Sequence, residues 1–360
     1  MKDIRKVLSY DDVSLVPRYS GCTGTSEANL FMNFRPEMNC YPIINSPMDT
    51  ICSKELIKYM YECGYAVTIH RFFENAESQL NFLRSCNLTL QFSDYRKVFV
   101  SVGSIHKWKS WIEYLLNNRG RTCSRFSWLI DMANGDTKAC LDTIEYIKRK
   151  NENSIIMAGN VATRSGFRRL KDAGANFIRV GIGGGSICST RGNTAFGVPT
   201  LTSILDCADQ KEDGVYLVAD GGIEKPGDIC KAIVAGADLV MCGKILAGTS
   251  LSAGKKLDKN FRYTKDKSKW KWCEYSGMAS ERARKKLNRN TIGSIEGVTG
   301  VVPYKGETPL ILTRYLENLK TAMTYYGGCT NWYQFRRDNK FVEQTFSGIQ
   351  ESQTRIVELE

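Results

Sequence analysis

Short β-branched or apolar runs recur eight times between positions 40 and 245, each followed by a polar turn and then a segment of helical period. They are YPIINSPMD (41–49), AVTIHR (66–71), VFVSVG (98–103), FSWLIDMA (126–133), SIIMAGNV (154–161), FIRVGI (177–182), VYLVADGGI (215–223) and LVMCGK (239–244). Strands of this buried type alternate with helical stretches such as DTKACLDTIEYIKRK and RSGFRRLKDAG, a pattern that calls for right-handed βαβ units and a parallel sheet. Eight units predict a (β/α)8 TIM barrel rather than a doubly wound sheet. Such a barrel carries its chemistry on the loops after the strand C-termini, where this chain has Asp49, His70, Arg71, Asp131, Asn160, the glycine run 181–185, Asp220, Gly221, Gly222 and Gly243. Asp, Asn and Gly also form plain turns, so it is their concentration at one end of eight strands that marks a site.

Beyond the eighth run the pattern changes. KKLDKNFRYTKDKSKWKW (255–272) is basic and aromatic with no apolar period and reads as an exposed hairpin or loop. It is followed by GMASERARKKLNRN, SIEGVTGVVPYKG, a predicted helix PLILTRYLENLKTAMTYY and a polar tail. The expected organisation is one barrel domain over 1–360, with its core at about 40–250, a basic arm at 255–272, and active-site and C-terminal segments in 273–360.

Composition narrows the chemistry. With 42% hydrophobic and 24% charged residues in 360, the chain has ample material for a core. The start, MKDIRKVLSYDD, is charged where a signal peptide needs an apolar run, and no stretch approaches the roughly 20 apolar residues of a membrane span. A cytoplasmic protein without a membrane partner is expected. Thirteen cysteines, odd in number, scattered and without a C-x-x-C pair, argue against a disulfide framework and a zinc site. Only two histidines, His70 and His106, leave a Ser-His-Asp relay poorly supplied and favour a thiol nucleophile. The 50 Lys+Arg exceed the 38 Asp+Glu by 12; a basic strip with Trp and Tyr suits nucleic acid, but a solvated arm is the preferred account of 255–272, and a nucleic-acid partner is not expected.

The densest signal is Val180-Gly181-Ile182-Gly183-Gly184-Gly185-Ser186-Ile187-Cys188-Ser189-Thr190-Arg191, directly after a strand. Its glycines let the backbone approach a ligand or ion. A cysteine is often a small buried hydrophobe, whereas Cys188 stands among hydroxyls with Arg191 nearby, surroundings that favour a thiolate. Glycines ending the seventh and eighth runs suit a phosphate held on backbone amides, and Asp220 is placed to accept from ribose hydroxyls. A divalent metal on Asp49, Asp131 and Asp220 is the competing use of those carboxylates.

The motifs YDDVSLVP, SPMDTI, GNVAT, VGIGGGSICSTR, GVPTL, LVADGGI, GADLVMCGKILAG, YSGMAS and EGVTGVVPYKG together resemble the IMP dehydrogenase and GMP reductase family over nearly the whole chain. The resemblance implies a barrel that binds a purine 5′-monophosphate (GMP or IMP), attaches Cys188 to C2 of the base as a thioimidate, and stacks a nicotinamide cofactor beside it. It assigns Ser186, Gly222 and Gly243 to the phosphate and Asp220 with Gly221 to the ribose; Lys244, a departure from the family, is tolerable beside them as a phosphate-neutralising lysine on the substrate side. Met48, Tyr275, Gly277, Met278, Ala279, Glu296 and Gly297 go to the base and its surroundings. Arg71, Asp131, Met132, Ala133, Asn160, Gly181 and Met278 go to the cofactor. Gly183, Gly185, Cys188 and Arg191 match the family's monovalent-cation (K+) loop, and the family's habit is a homotetramer.

Within the resemblance, the reductase branch is expected, with dehydrogenase as the alternative and a non-catalytic nucleotide- or RNA-binding barrel as a third reading. Between GMAS (277–280) and EGV (296–298) the chain has only ERARKKLNRNTIGSI, short and without the Arg-Tyr pair of the dehydrogenase flap; Arg262-Tyr263 lies elsewhere. There is no regulatory insert domain, and IDMANG and HRFFENAESQLNF look reductase-like. YDDVSLVP and EGVTGVVPYKG lean the other way, and Lys244 replaces the small residue both branches carry. Thr190 and Glu296 match the reductase's proton-transfer pair. Arg71 suits the 2′-phosphate of NADPH, or else pairs with a nearby carboxylate.

Overall fold

The computed structural model describes residues 4–34, 38–88, 95–118, 126–277 and 297–352. All eight apolar runs are parallel strands: β1 (Met38–Asn45), β2 (Tyr65–Ile69), β3 (Val98–Val102), β4 (Ser127–Asp131), β5 (Ile156–Val161), β6 (Phe177–Val180), β7 (Tyr216–Asp220) and β8 (Leu239–Cys242). Each pairs with the next, and β8 returns to β1 in the register Val240↔Ile43, Met241↔Ile44 and Cys242↔Asn45, which closes the barrel. Helices α1 (Lys54–Glu62), α2 (Ala76–Ser85), α3 (Ile105–Asn118), α4 (Lys138–Lys150), α5 (Arg164–Asp172), α6 (Thr200–Ala208) and α7 (Pro226–Val234) connect them. Four of these start on a side-chain cap that satisfies an otherwise orphaned N–H: Ser53 for Leu56, Asn75 for Ser78, Thr137 for Cys140 and Thr163 for Gly166.

Because strand side chains alternate, each strand feeds two cores. Ile43, Val67, Val100, Ile130, Ile178 and Val240 face the helices and pack with Leu56, Leu80, Ile112, Ile144 and Leu170. Ile44, Ala66, Phe99, Leu129, Met157, Phe177, Val218 and Met241 fill the barrel itself, with Phe34 and Met38 closing its lower end. Two residues farther along the same inward faces come Thr68, Ser101, Asp131, Gly159, Arg179 and Asp220, so the lining turns polar at the mouth.

The segment 255–272 departs from the sequence expectation. Lys256–Leu257 is a strand, antiparallel to Trp272–Ser276, which pairs in turn with Thr299–Pro303. Lys256 is buried, its ammonium donating to the carbonyls of Ser252 and Gly254 at 2.5 and 3.1 Å. A lysine so placed ties the sheet to the barrel, a contact invisible to hydropathy, while most of 258–269 is exposed as expected. The polar tail is also partly ordered: Phe341–Glu343 pairs antiparallel with Val13–Leu15. PLILTRYLENLKTAMTYY forms α8 (Thr308–Thr321), which continues as a π-helical turn over Ala322–Tyr326. Among the described residues no helix is long and apolar enough to cross a membrane.

Candidate active site

At the C-terminal mouth of the barrel lies a cavity of about 1110 Å³, counting its open side. Of the described candidate residues at the strand ends and on the glycine loop, it gathers all but Asp49, His70 and Arg191. From the strand ends come Met48, Arg71, Asp131, Met132, Ala133 and Asn160, and from the glycine loop Gly181, Gly183, Gly185, Ser186, Cys188 and Thr190. The far wall carries Asp220, Gly221, Gly222, Gly243 and Lys244, with Tyr275, Gly277 and Gly297 on the antiparallel side. Met278, Ala279, Glu296 and the segment 281–295 lie outside the described residues.

The glycine loop is shaped by its neighbours. Gly181 adopts φ +144°, and a Cβ there would come within 1.9 Å of the Asp220 carbonyl oxygen, so only glycine lets the loop lie against β7. Cys188 then turns back, its N–H donating to the Gly185 carbonyl, and bridges antiparallel to Gly297. The Val298 N–H donates to the Ile187 carbonyl at 3.1 Å, and the Gly277 N–H to the Val298 carbonyl at 3.0 Å. The loop that carries the thiol therefore rests on the antiparallel sheet rather than hanging free.

Cys188 differs from most of the other cysteines. Cys40, Cys52, Cys86, Cys140, Cys207 and Cys230 are buried, and burial pushes their thiols up to about 12, which keeps them protonated and unreactive. Cys188 is exposed to the cavity, its Sγ 3.1 Å from the Thr190 hydroxyl. A hydroxyl at that distance can donate to a thiolate or relay a proton to a group attached to it.

The residue that sequence reasoning missed is Arg179. Its guanidinium is fully buried between two carboxylates, donating from Nη1 to Asp131 Oδ1 and from Nη2 to Asp220 Oδ2, both at 2.7 Å. Asp131 also accepts from Arg71 Nε at 3.0 Å, and Asp220 from Asn160 Nδ2 at 2.8 Å. Burial pushes the Asp131 carboxyl up, but Arg71 and Arg179 outweigh it and hold it below the usual range; burial pulls Arg179 down, and the two aspartates more than restore it. Gly159 makes room, since a Cβ there would lie 2.6 Å from that of Arg179. The available signal was a lone arginine inside FIRVGI, an otherwise apolar run.

Three of the candidates have partners of their own. Asp131 and Asp220 share the Arg179 guanidinium, and among the described residues no group of three His, Cys, Asp or Glu is placed to hold a metal ion. Arg71 takes the carboxylate pairing, with its guanidinium over the Phe72 and Trp108 rings, though its buried Nη1 lacks a partner among the described residues. Arg191 lies outside the cavity: a Cβ on Gly183 or Gly197 would strike its side chain, and its carbonyl accepts from the Ala195 N–H. Its side chain packs along the loop at Gly183 and Gly197.

Toward the ends of β7 and β8, a Cβ on Gly243 would lie 2.7 Å from the Tyr275 hydroxyl, and Tyr10 packs on Gly222. Tyr275 hydrogen-bonds Ser186, yet burial still pushes its phenol well up, keeping it a neutral donor. Lys244 pairs with Glu224 at 2.6 Å.

A closed (β/α)8 barrel with a thiol-bearing glycine loop over a ligand-sized mouth defines the class of protein. Residues 7–355 match the IMP dehydrogenase / GMP reductase domain, and the chain belongs to that family of oxidoreductases. It is 34% identical over 325 residues to the GMP reductase of Levilactobacillus brevis, covering 90% of this chain and 92% of that protein. GMP reductase 2 of Bos taurus is 29% identical over 350 residues, covering 89% of each. Inosine-5′-monophosphate dehydrogenase of Aquifex aeolicus is 37% identical over 240 residues, 64% of this chain and 47% of that protein.

Proposed function

We propose that the protein is a GMP reductase, converting GMP to IMP and ammonia with NADPH, and that the whole chain acts as one catalytic unit. The observation that carries this reading is the exposed Cys188 thiol, 3.1 Å from the Thr190 hydroxyl, at the lip of a cavity walled by glycine strand ends and the anchored Asp220. The reductase branch is favoured because relatives named GMP reductase align over about nine-tenths of both chains.

In this reading the phosphate rests on Ser186, Gly222 and Gly243 with Tyr275 donating, and the ribose hydroxyls donate to Asp220, which Arg179 and Asn160 hold still. The Cys188 thiolate adds to C2 of the purine, and Thr190, backed by Glu296, delivers the proton that lets the 2-amino group leave as ammonia. The thioimidate then holds C2 over the nicotinamide side of the cavity, lined by Asp131, Met132 and Ala133. The unpartnered Nη1 of Arg71 fits an oxygen of a nicotinamide cofactor, which supplies hydride to C2 when bound. Cys188 departs as thiolate and IMP is released. Carbonyls of Gly183, Gly185 and Cys188 would hold K+, and the active form is read as a homotetramer in the cytoplasm.

The purified protein mixed with GMP and NADPH should oxidise the cofactor and release ammonia in equal amounts, and Cys188→Ala should do neither. A second reading, oxidation of IMP to XMP with NAD, is favoured by the higher identity to dehydrogenases over the shorter 240-residue stretch. NADH formation from IMP, with no reaction of GMP, would select it.

A further inference from the structure

One charged group at the mouth takes no part in the chemistry above. The Lys244 ammonium lies 2.6 Å from Glu224 Oε1, and both line the cavity immediately after the glycines of β8 and β7. Their backbones are pinned. The Glu224 N–H donates to Asp228 Oδ2 at 3.0 Å and its carbonyl accepts from the Tyr315 hydroxyl at 2.8 Å, while the Lys244 carbonyl accepts from the Lys305 ammonium.

That pair is easy to open. Both side chains are about two-fifths exposed, at 40% and 42%, and ion pairs of that exposure contribute roughly 0–1 kcal/mol. A phosphate monoester brings close to two negative charges and three acceptor oxygens, and charge-assisted bonds to it are stronger than neutral ones. Lys305 adds a second ammonium, its charge disfavoured first by burial and then by Lys244, so a nearby anion relieves it. Two ammonium groups against one carboxylate leave net positive charge beside the glycine ends.

We infer that Glu224 is a latch on Lys244: in the empty protein it holds the ammonium at the cavity rim, and an arriving phosphate monoester takes its place. The inference rests on the nucleotide reading of the cavity and adds to it a residue that sets affinity by competing with the ligand. Glu224 lowers affinity for any anion that must displace it and bars those too weak to do so, so it favours a dianionic phosphate over a carboxylate and leaves a neutral nucleoside unaffected.

The test is calorimetric titration of GMP and of guanosine into wild type, Glu224→Gln, Lys244→Gln and the double variant. Glu224→Gln should tighten GMP by about twofold to fivefold, the worth of an exposed pair. Lys244→Gln should weaken GMP about tenfold, as loss of one charge-assisted bond does. In the Lys244→Gln background the Glu224 substitution should have no effect, and guanosine should bind all four proteins alike. An equal Glu224 effect in both backgrounds, or wild-type binding of GMP with no shift in Glu224→Gln, overturns the latch alone. Failure of the wild type to bind GMP or IMP at all overturns the nucleotide reading and the latch with it.

Discussion

On β6 the inward positions are Phe177 and, two residues on, Arg179. They lie on one strand and one face, yet one belongs to the barrel floor and the other to its mouth. The floor is held by burial: Phe177 packs against Phe34, Phe99 and Tyr216 at centroid distances of 5.0 to 5.5 Å. The mouth is held by charge, with one guanidinium satisfying carboxylates from β4 and β7. Floor contacts are non-directional and tolerate a similar shape. The mouth tolerates nothing that leaves a charge alone, because a buried pair gives little net stability while intact but is costly to break. The barrel thus puts forgiving material where it needs volume and exacting material where it needs to aim Asp220 and Asp131.

The largest effect separates chemistry from both regions. Cys188→Ala should reduce turnover of GMP below detection in a cofactor-oxidation assay while shifting unfolding free energy by less than about 0.5 kcal/mol, since the side chain is exposed. Next come two substitutions that cost alike for different reasons. Phe177→Ala should lose about 3–5 kcal/mol through a cavity, and Arg179→Met about 3–5 kcal/mol by taking the cation from Asp220, while Asp131 keeps Arg71. Denaturant titration would tell them apart by rescue: adding Asp220→Asn should recover most of the Arg179→Met loss, with nothing comparable for Phe177→Ala. If the double variant is no better than Arg179→Met, the contrast between floor and mouth fails.

Gly181→Ala should cost about 1–3 kcal/mol, from a side chain forced into a positive-φ position against the Asp220 carbonyl, and should raise KM more than it lowers kcat. The smallest effect is in pH. The folded Asp131 carboxyl lies below its ordinary 3.8, so the folded state binds fewer protons there than the unfolded chain. Its stabilisation is complete above the unfolded value and is lost as pH falls through that value toward the folded one. Thermal melts between about pH 6 and 3 should therefore fall more steeply for wild type than for Asp131→Asn.

Much of this was legible in local pattern. All eight strands lie where apolar runs predict them, because parallel barrel strands are buried on both faces and need unbroken hydrophobicity. The glycine loop was equally plain, since close backbone approach excludes every other residue at Gly181. Arg179 was not, because its meaning depends on Asp131, 48 residues before it, and Asp220, 41 after. Lys256 was misjudged for a similar reason: a basic residue in a basic stretch reads as solvated until three acceptors converge on it.

Period and composition by themselves determined the architecture, the end of the barrel that carries the site, and the thiol at its centre, because each follows from neighbours within a strand or a turn. Which charges meet was decided only when β8 closed on β1 and brought distant strand ends to one rim. Arg71 with Asp131, Arg179 between two aspartates and Lys244 with Glu224 are pairings of that kind. Charge acts through space, and the spacing of residues along a chain does not record who will stand within 3 Å of whom.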